Sequence, residues 1–137
     1  ANGITESQPQ VVFNHLVKEL GSRGLSFIHV IEGATGGDRT FTQGEKPFDY
    51  QELKDAYRTA GGTGAWLVNN GYTKETGEQA VASGYADAVA FGKLFIANPD
   101  LVQRFKDGAA LNEPDNGTFY GGGAKGYTDY PSLEAAA

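Results

Sequence analysis

Three short apolar runs, at residues 25–31, 65–68 and 88–91, alternate with stretches whose apolar residues recur at helical spacing, and this alternation constrains the fold more than any other feature. The runs are too short for buried helices and nearly continuous in apolar residues, the signature of parallel strands covered on both faces. Strands separated by helical segments imply right-handed βαβ units and a parallel sheet. The expected order is α-β-α-β-α-β-α followed by an irregular tail.

Local signals place the helices. In the first, Ser7 is a candidate cap and Pro9 suits the first turn. Val12, Leu16 and Leu20, beside Phe13 and Val17, form an apolar face, and Gly21 and Gly24 end the helix. A second helix is expected over about 49–60, with Leu53, Ala56, Tyr57 and Ala60 on one face. Thr73 should cap a third, reaching about Ser83 and closed by Gly84. Asn98 should cap the last, with Pro99 at its first position and Leu101, Val102 and Phe105 packing inward.

Three strands are few. A closed parallel barrel needs about eight, usually in about 250 residues, whereas this chain has 137. Two sheet edges would stay open and several helix faces uncovered, so the chain is expected not to function alone. It lacks Met at position 1, which points to a fragment or processed piece, and Glu134-Ala135-Ala136-Ala137 reads as a vector-derived scar. Residues 1–133 are expected to belong to a single domain, with 134–137 outside it.

Composition removes whole function classes. A net charge of −6 with scattered Lys and Arg gives no electrostatic footprint for nucleic acid or an anionic membrane. No apolar run approaches the roughly 20 residues that span a bilayer. The absence of cysteine excludes disulfides and thiolate metal sites and fits a reducing cytoplasm.

Ligands of α/β folds bind beyond the carboxyl ends of the parallel strands. One strand ends in Asn69-Asn70-Gly71-Tyr72 and the next in Phe91-Gly92-Lys93. Glycine allows close backbone approach to phosphate oxygens, and a lysine neutralises the dianion. The competing reading is that Gly71 and Gly92 only turn the chain and Lys93 is a solvated charge. A third strand end opens a loop over 32–47, longer than ordinary βα connections and either a lid or a mobile insertion. Arg39 and Phe41 would reach a substrate from there. Glu32 is either a general acid or base or, more commonly at such a position, a bridge between elements.

His15 suits a helix surface or packing role, and His29 a satisfied core position in a strand; they lack metal-ligand spacing. No Gly-x-Ser-x-Gly elbow, Walker loop or dinucleotide fingerprint is present, since Gly121-Gly122-Gly123 follows a helix rather than a strand. In the tail, Phe119 and Tyr120 either cover a flat ring system or anchor the C-terminus, and Tyr127 and Tyr130 are assigned to anchoring.

Two segments carry a family resemblance. Ala86-Asp87-Ala88-Val89-Ala90-Phe91-Gly92-Lys93 with Phe95-Ile96-Ala97-Asn98-Pro99-Asp100-Leu101 resembles the last barrel strand and following helix of old yellow enzyme-type ene-reductases. Residues 118–131, Thr-Phe-Tyr-Gly-Gly-Gly-Ala-Lys-Gly-Tyr-Thr-Asp-Tyr-Pro, resemble the C-terminus of the bacterial branch that includes N-ethylmaleimide and nitrate-ester reductases.

The resemblance implies a (βα)8 TIM barrel holding FMN, of which this chain supplies about the sixth to eighth strands and the C-terminal tail. It implies reduction of FMN by NADPH or NADH and hydride transfer to an activated alkene such as an enone or maleimide. Some members reduce nitro compounds or nitrate esters. By the same resemblance, Asn70, Gly71, Gly92 and Lys93 would contact the FMN phosphate, and Tyr120 would pack against the flavin ring. Arg is common in the family where Lys93 stands, so a contact without the bidentate fork is implied. The family's paired His-His or His-Asn, its Tyr proton donor and its other flavin contacts lie upstream of Ala1, so no catalytic residue is expected here. The implied partners are the missing N-terminal barrel segment and a small-molecule alkene. Two other readings stay open: a flavin-free phosphate-binding barrel isomerase or lyase, and an interaction module.

Overall fold

A computed structural model describes residues 7–33 and 48–133. The loop residues Gly36, Gly37, Arg39, Phe41 and Gly44, and the segment 134–137, lie outside the described residues. The described chain falls into two compact units, one ending at Ala90 and the other beginning at Phe91.

The first unit contains α1 (Pro9–Gly21), β1 (Phe27–Ile31), α2 (Tyr50–Thr59), β2 (Ala65–Asn69), α3 (Lys74–Ala82) and β3 (Ala88–Ala90). Its strands form a parallel sheet in the order β1-β2-β3, as the alternating pattern required. The register pairs His29 with Leu67 and Ile31 with Asn69 across β1 and β2, and Asn69 with Ala90 across β2 and β3.

The capping signal at the third helix holds, and the second helix opens on a cap that the sequence pattern did not single out. Asp49 accepts the Glu52 N–H at the start of α2. Thr73 and Thr76 form a reciprocal capping box on α3, and Gly84 ends that helix at φ +74°, a conformation costly to any other residue type. At α1 the N-cap position falls on Gln8 rather than Ser7, and Gln8 makes no side-chain cap. α1 is held instead by its neighbour, with the Gln10 amide bonded to both backbone groups of Asp49 and the Asn14 amide donating to Glu52.

Val17, Leu53, Ala56, Tyr57, Trp66, Val68, Ala80 and Ala86 make the core of this unit. Along β2, Trp66 and Val68 are fully buried while Ala65, Leu67 and Asn69 are half-buried, so the helices cover one face of the sheet more completely than the other. The expectation that the first strand is covered on both faces is not met. Phe27 and Ile31 are 55% and 56% exposed, and His29 between them is exposed rather than a core residue. Alternate residues of a strand share a face, and this one is largely exposed. On α1, Val17 is buried but Val12, Phe13 and Leu16 of the predicted inner face are each close to half exposed. One helix and one sheet face cannot enclose all of them.

The charged groups at the other end of β2 are structural. Arg58 donates to the carbonyls of Gly62 and Gly64 and pairs with Asp87, whose carboxylate also accepts the Trp66 N–H. Lys54, buried on α2, donates to the carbonyls of Gly84 and Tyr85.

The second unit holds α4 (Lys93–Ala97), α5 (Leu101–Asp107) and the tail. The sequence pattern predicted one helix after the third strand, capped by Asn98. Instead Asn98 closes α4, is fully buried, and exchanges hydrogen bonds with Asn112 in the tail. The N-cap of α5 is Asp100, so Pro99 belongs to the turn between the helices. Leu101 is buried and Phe105 packs edge-on against Phe91, but Val102 is 68% exposed, contrary to its predicted inward position. The polar side chain of Asn98 took the junction because its amide satisfies backbone groups at the end of α4 and in the tail at once.

Arg104, nearly fully buried, ties the tail down through the carbonyls of Ala110 and Pro131 and an ion pair with Asp100 at 2.7 Å. The Leu133 N–H donates to the other oxygen of Asp100. The Arg104 hydrogen bond, then the Leu133 N–H, hold the Asp100 carboxyl below its ordinary value. A depressed folded pKa contributes stability above the unfolded value, and that stability is lost as pH falls through about 4 toward the folded pKa. Asp100→Asn should therefore remove part of the acid destabilisation seen below about pH 4; superimposable acid-unfolding curves for wild type and variant would refute this assignment.

Candidate functional site

The carboxyl end of β2 carries the most distinctive backbone of the first unit. Asn70 and Gly71 follow the strand with φ of +89° and +71°, two consecutive residues in the left-handed region. Glycine enters that region freely, but Asn70 needs outside support. It has it, since its side-chain amide donates to the Glu32 carbonyl at 2.6 Å. Gly71 is exposed at the tip. Asn69, one residue earlier, donates its side-chain amide to the Ala90 carbonyl at 3.0 Å and so couples the ends of β2 and β3.

Glu32, at the end of β1, is only 2% exposed. Its carboxylate accepts the Tyr72 hydroxyl at 2.6 Å and the Tyr85 hydroxyl on its other oxygen. Its N–H donates to the Asn69 carbonyl, and the next residue, Gly33, donates to the Tyr50 hydroxyl. Of the two sequence readings of Glu32, the bridge between elements is the one that this geometry matches. Tyr72 and Tyr85 were missed as its partners. A tyrosine just after β2 and another just before β3 were the available signals, but they lie 40 and 53 residues away along the chain.

In the second unit, Gly92 is the N-cap of α4 and Lys93 its first residue, both exposed. The space that a Cβ would occupy on Gly92 is open, so no neighbour within the described residues requires glycine there. Phe119 is buried, whereas the adjacent Tyr120 is 96% exposed, with the two rings edge to face at 6.2 Å. Of the two tail tyrosines assigned to anchoring, Tyr130 accepts the Asp115 N–H, while Tyr127 is half exposed. Asn70 and Gly71 thus belong to the first unit, and Gly92, Lys93 and Tyr120 to the second. His15 is exposed on α1 and His29 on β1. Among the described residues, no group of three or more His, Asp or Glu could hold a metal ion, and no helix is long and apolar enough to cross a membrane.

No protein-family model matches the chain. Curated proteins and solved structures do. The chain is 40% identical to the putative 12-oxophytodienoate reductase 12 of Oryza sativa subsp. japonica, over 94% of its own length and 32% of that protein's. Among solved structures it superposes on morphinone reductase with a TM-score of 0.78 and 41% identity, covering 98% of this chain and 34% of that one. With the old yellow enzyme homologue of Zymomonas mobilis the TM-score is 0.81 at 36% identity, covering 94% and 34%. The chain therefore spans about a third of the length of the relatives it matches. Its three parallel strands and their helices are part of a TIM-barrel fold.

Proposed function

We propose, from the premise that this chain is homologous to a C-terminal portion of the old yellow enzymes, that it completes the FMN site of an NAD(P)H-dependent ene-reductase. The observation that carries the reading is where the phosphate-binding residue types stand. Asn70 and Gly71 form an open left-handed turn at the end of β2, and Gly92 and Lys93 come directly after β3. In barrels the loops after the last two strands commonly hold phosphate.

The residues present fit that cofactor. The exposed turn at Gly71 lets a phosphate oxygen approach backbone N–H groups closely, and the open space at Gly92 allows the same. Lys93 supplies a cation to offset the dianion. The nearly bare ring of Tyr120 offers an apolar surface to one end of a flat ring system. These roles are proposed separately for each unit. When bound, FMN supplies hydride chemistry with NADPH or NADH as the source. This chain's residues bind and orient, and the substrate and proton chemistry belongs to the rest of the barrel. The substrate class proposed is a small activated alkene such as an enone or maleimide, with nitro compounds and nitrate esters as further candidates. Residues 1–133 form one part of a single FMN-binding domain in this reading, and the cysteine-free composition suits the cytoplasm.

The test is a titration of the assembled enzyme with FMN, followed by flavin absorbance and NAD(P)H-dependent reduction of an enone. Lys93→Ala should raise the Kd for FMN about tenfold, the loss of one charge-assisted contact, and leave riboflavin binding unaffected. An assembled enzyme that binds inorganic phosphate at this position but shows no flavin bands would overturn the reading in favour of a flavin-free barrel.

A further inference from the structure

Glu32 is buried, charged and unused by the binding roles above, yet its hydrogen bonds converge on one short segment. Its N–H reaches the Asn69 carbonyl at 3.1 Å, its carbonyl accepts from Asn70 at 2.6 Å, and its carboxylate accepts from Tyr72 at 2.6 Å. These partners flank Gly71 on both sides. The Tyr85 hydroxyl holds the second carboxylate oxygen from the approach to β3. Asn70 sits at φ +89°, a region disfavoured for any residue with a Cβ, so the turn keeps its shape only if its surroundings hold it.

We infer that Glu32 is a positioning residue for phosphate recognition: its carboxylate, bonded by Tyr72 and Tyr85, fixes the segment after β2 and so locks the Asn70–Gly71 turn in the shape that presents its backbone to the FMN phosphate. The inference rests on the flavin reading above. It also makes a claim against simple electrostatics. A buried carboxylate on this side of the turn repels a phosphate dianion, so charge alone predicts tighter FMN binding when Glu32 is neutralised. Positioning predicts the opposite sign.

The experiment compares FMN with riboflavin, which lacks the phosphate, on the assembled enzyme. Wild type, Glu32→Leu, Tyr72→Phe and Tyr57→Phe are titrated with each, and their thermal midpoints are measured. Tyr57→Phe removes a buried hydrogen bond to the Gly64 N–H at the opposite end of β2 and serves as the stability control. Glu32→Leu and Tyr72→Phe should raise the Kd for FMN about tenfold while riboflavin stays within about twofold. The control should lose stability and keep the wild-type ratio of the two affinities.

Unchanged or tighter FMN binding in both turn variants overturns the inference, as does equal weakening of FMN and riboflavin, which marks a merely structural role. An equal change of ratio in Tyr57→Phe overturns it too. If Glu32→Leu does not fold, Tyr72→Phe decides. Wild type that binds no FMN removes the flavin reading itself and this inference with it, whereas wild type that binds FMN beside variants that bind equally well removes the inference alone.

Discussion

Produced without the other strands of the barrel, this chain should retain no FMN and should not oxidise NADPH. Among the described residues β1 and β3 each pair on one side only, so both edges of the sheet offer unpaired N–H and C=O groups. The face carrying Phe27, His29 and Ile31 is exposed, and so in large part are Val11, Val12 and Leu16 on α1. Exposed apolar surface of this extent marks a missing neighbour or an aggregation-prone piece. Among the described residues both histidines are exposed and belong to no group that could hold a metal ion, and the family resemblance places the substrate-binding pair upstream. Incubation of the isolated chain with FMN, gel filtration and an NADPH oxidation assay read the result directly. A yellow, active, monodisperse isolated chain would show that the expectation is wrong.

The largest loss of stability should follow from Tyr57→Ala, at about 3–5 kcal/mol. Tyr57 is fully buried between α2 and β2, with its ring 5.8 Å from that of Trp66. Gly62 lies so close that a Cβ there would stand 2.4 Å from the ring carbons, which shows how tightly the ring is enclosed. Its hydroxyl accepts the buried Gly64 N–H at 3.2 Å, and the Arg58 guanidinium carbon lies 5.5 Å from its centroid. Alanine would leave a cavity that Trp66 cannot fill and a backbone donor without its acceptor. Tyr57→Phe keeps the packing and should cost only about 1 kcal/mol. Urea unfolding of the assembled protein separates the two, since the midpoint moves while the slope stays constant. A loss for Tyr57→Ala no larger than that for Tyr57→Phe would mean that the core collapses around the smaller side chain.

How far the fold could be read from sequence depended on how local its determinants were. The extent of α3 was legible because Thr73 and Gly84 act within a turn of the backbone they satisfy. The three strands were legible from their apolar runs, and the tail and last-strand motifs pointed to the family that the comparisons support. Asn98 was misread because a cap residue before a proline looks the same whether it opens one helix or closes another. Its partner Asn112, fourteen residues on, settled which. Val102 and His29 were misread for a related reason, since an apolar pattern tells which residues share a face but not whether anything covers that face.

By itself, then, the sequence determined the alternation of strand and helix, the glycine-bearing strand ends and the absence of cysteine chemistry. These follow from side-chain type and spacing along a few residues. Tertiary structure alone decided that Glu32 is buried and bridges the strand ends. The parallel register sets Ile31 opposite Asn69, which places Glu32 beside the turn after β2 and within reach of Tyr72 and Tyr85. Such a register depends on how whole strands pack, and no local pattern around Glu32 encodes it.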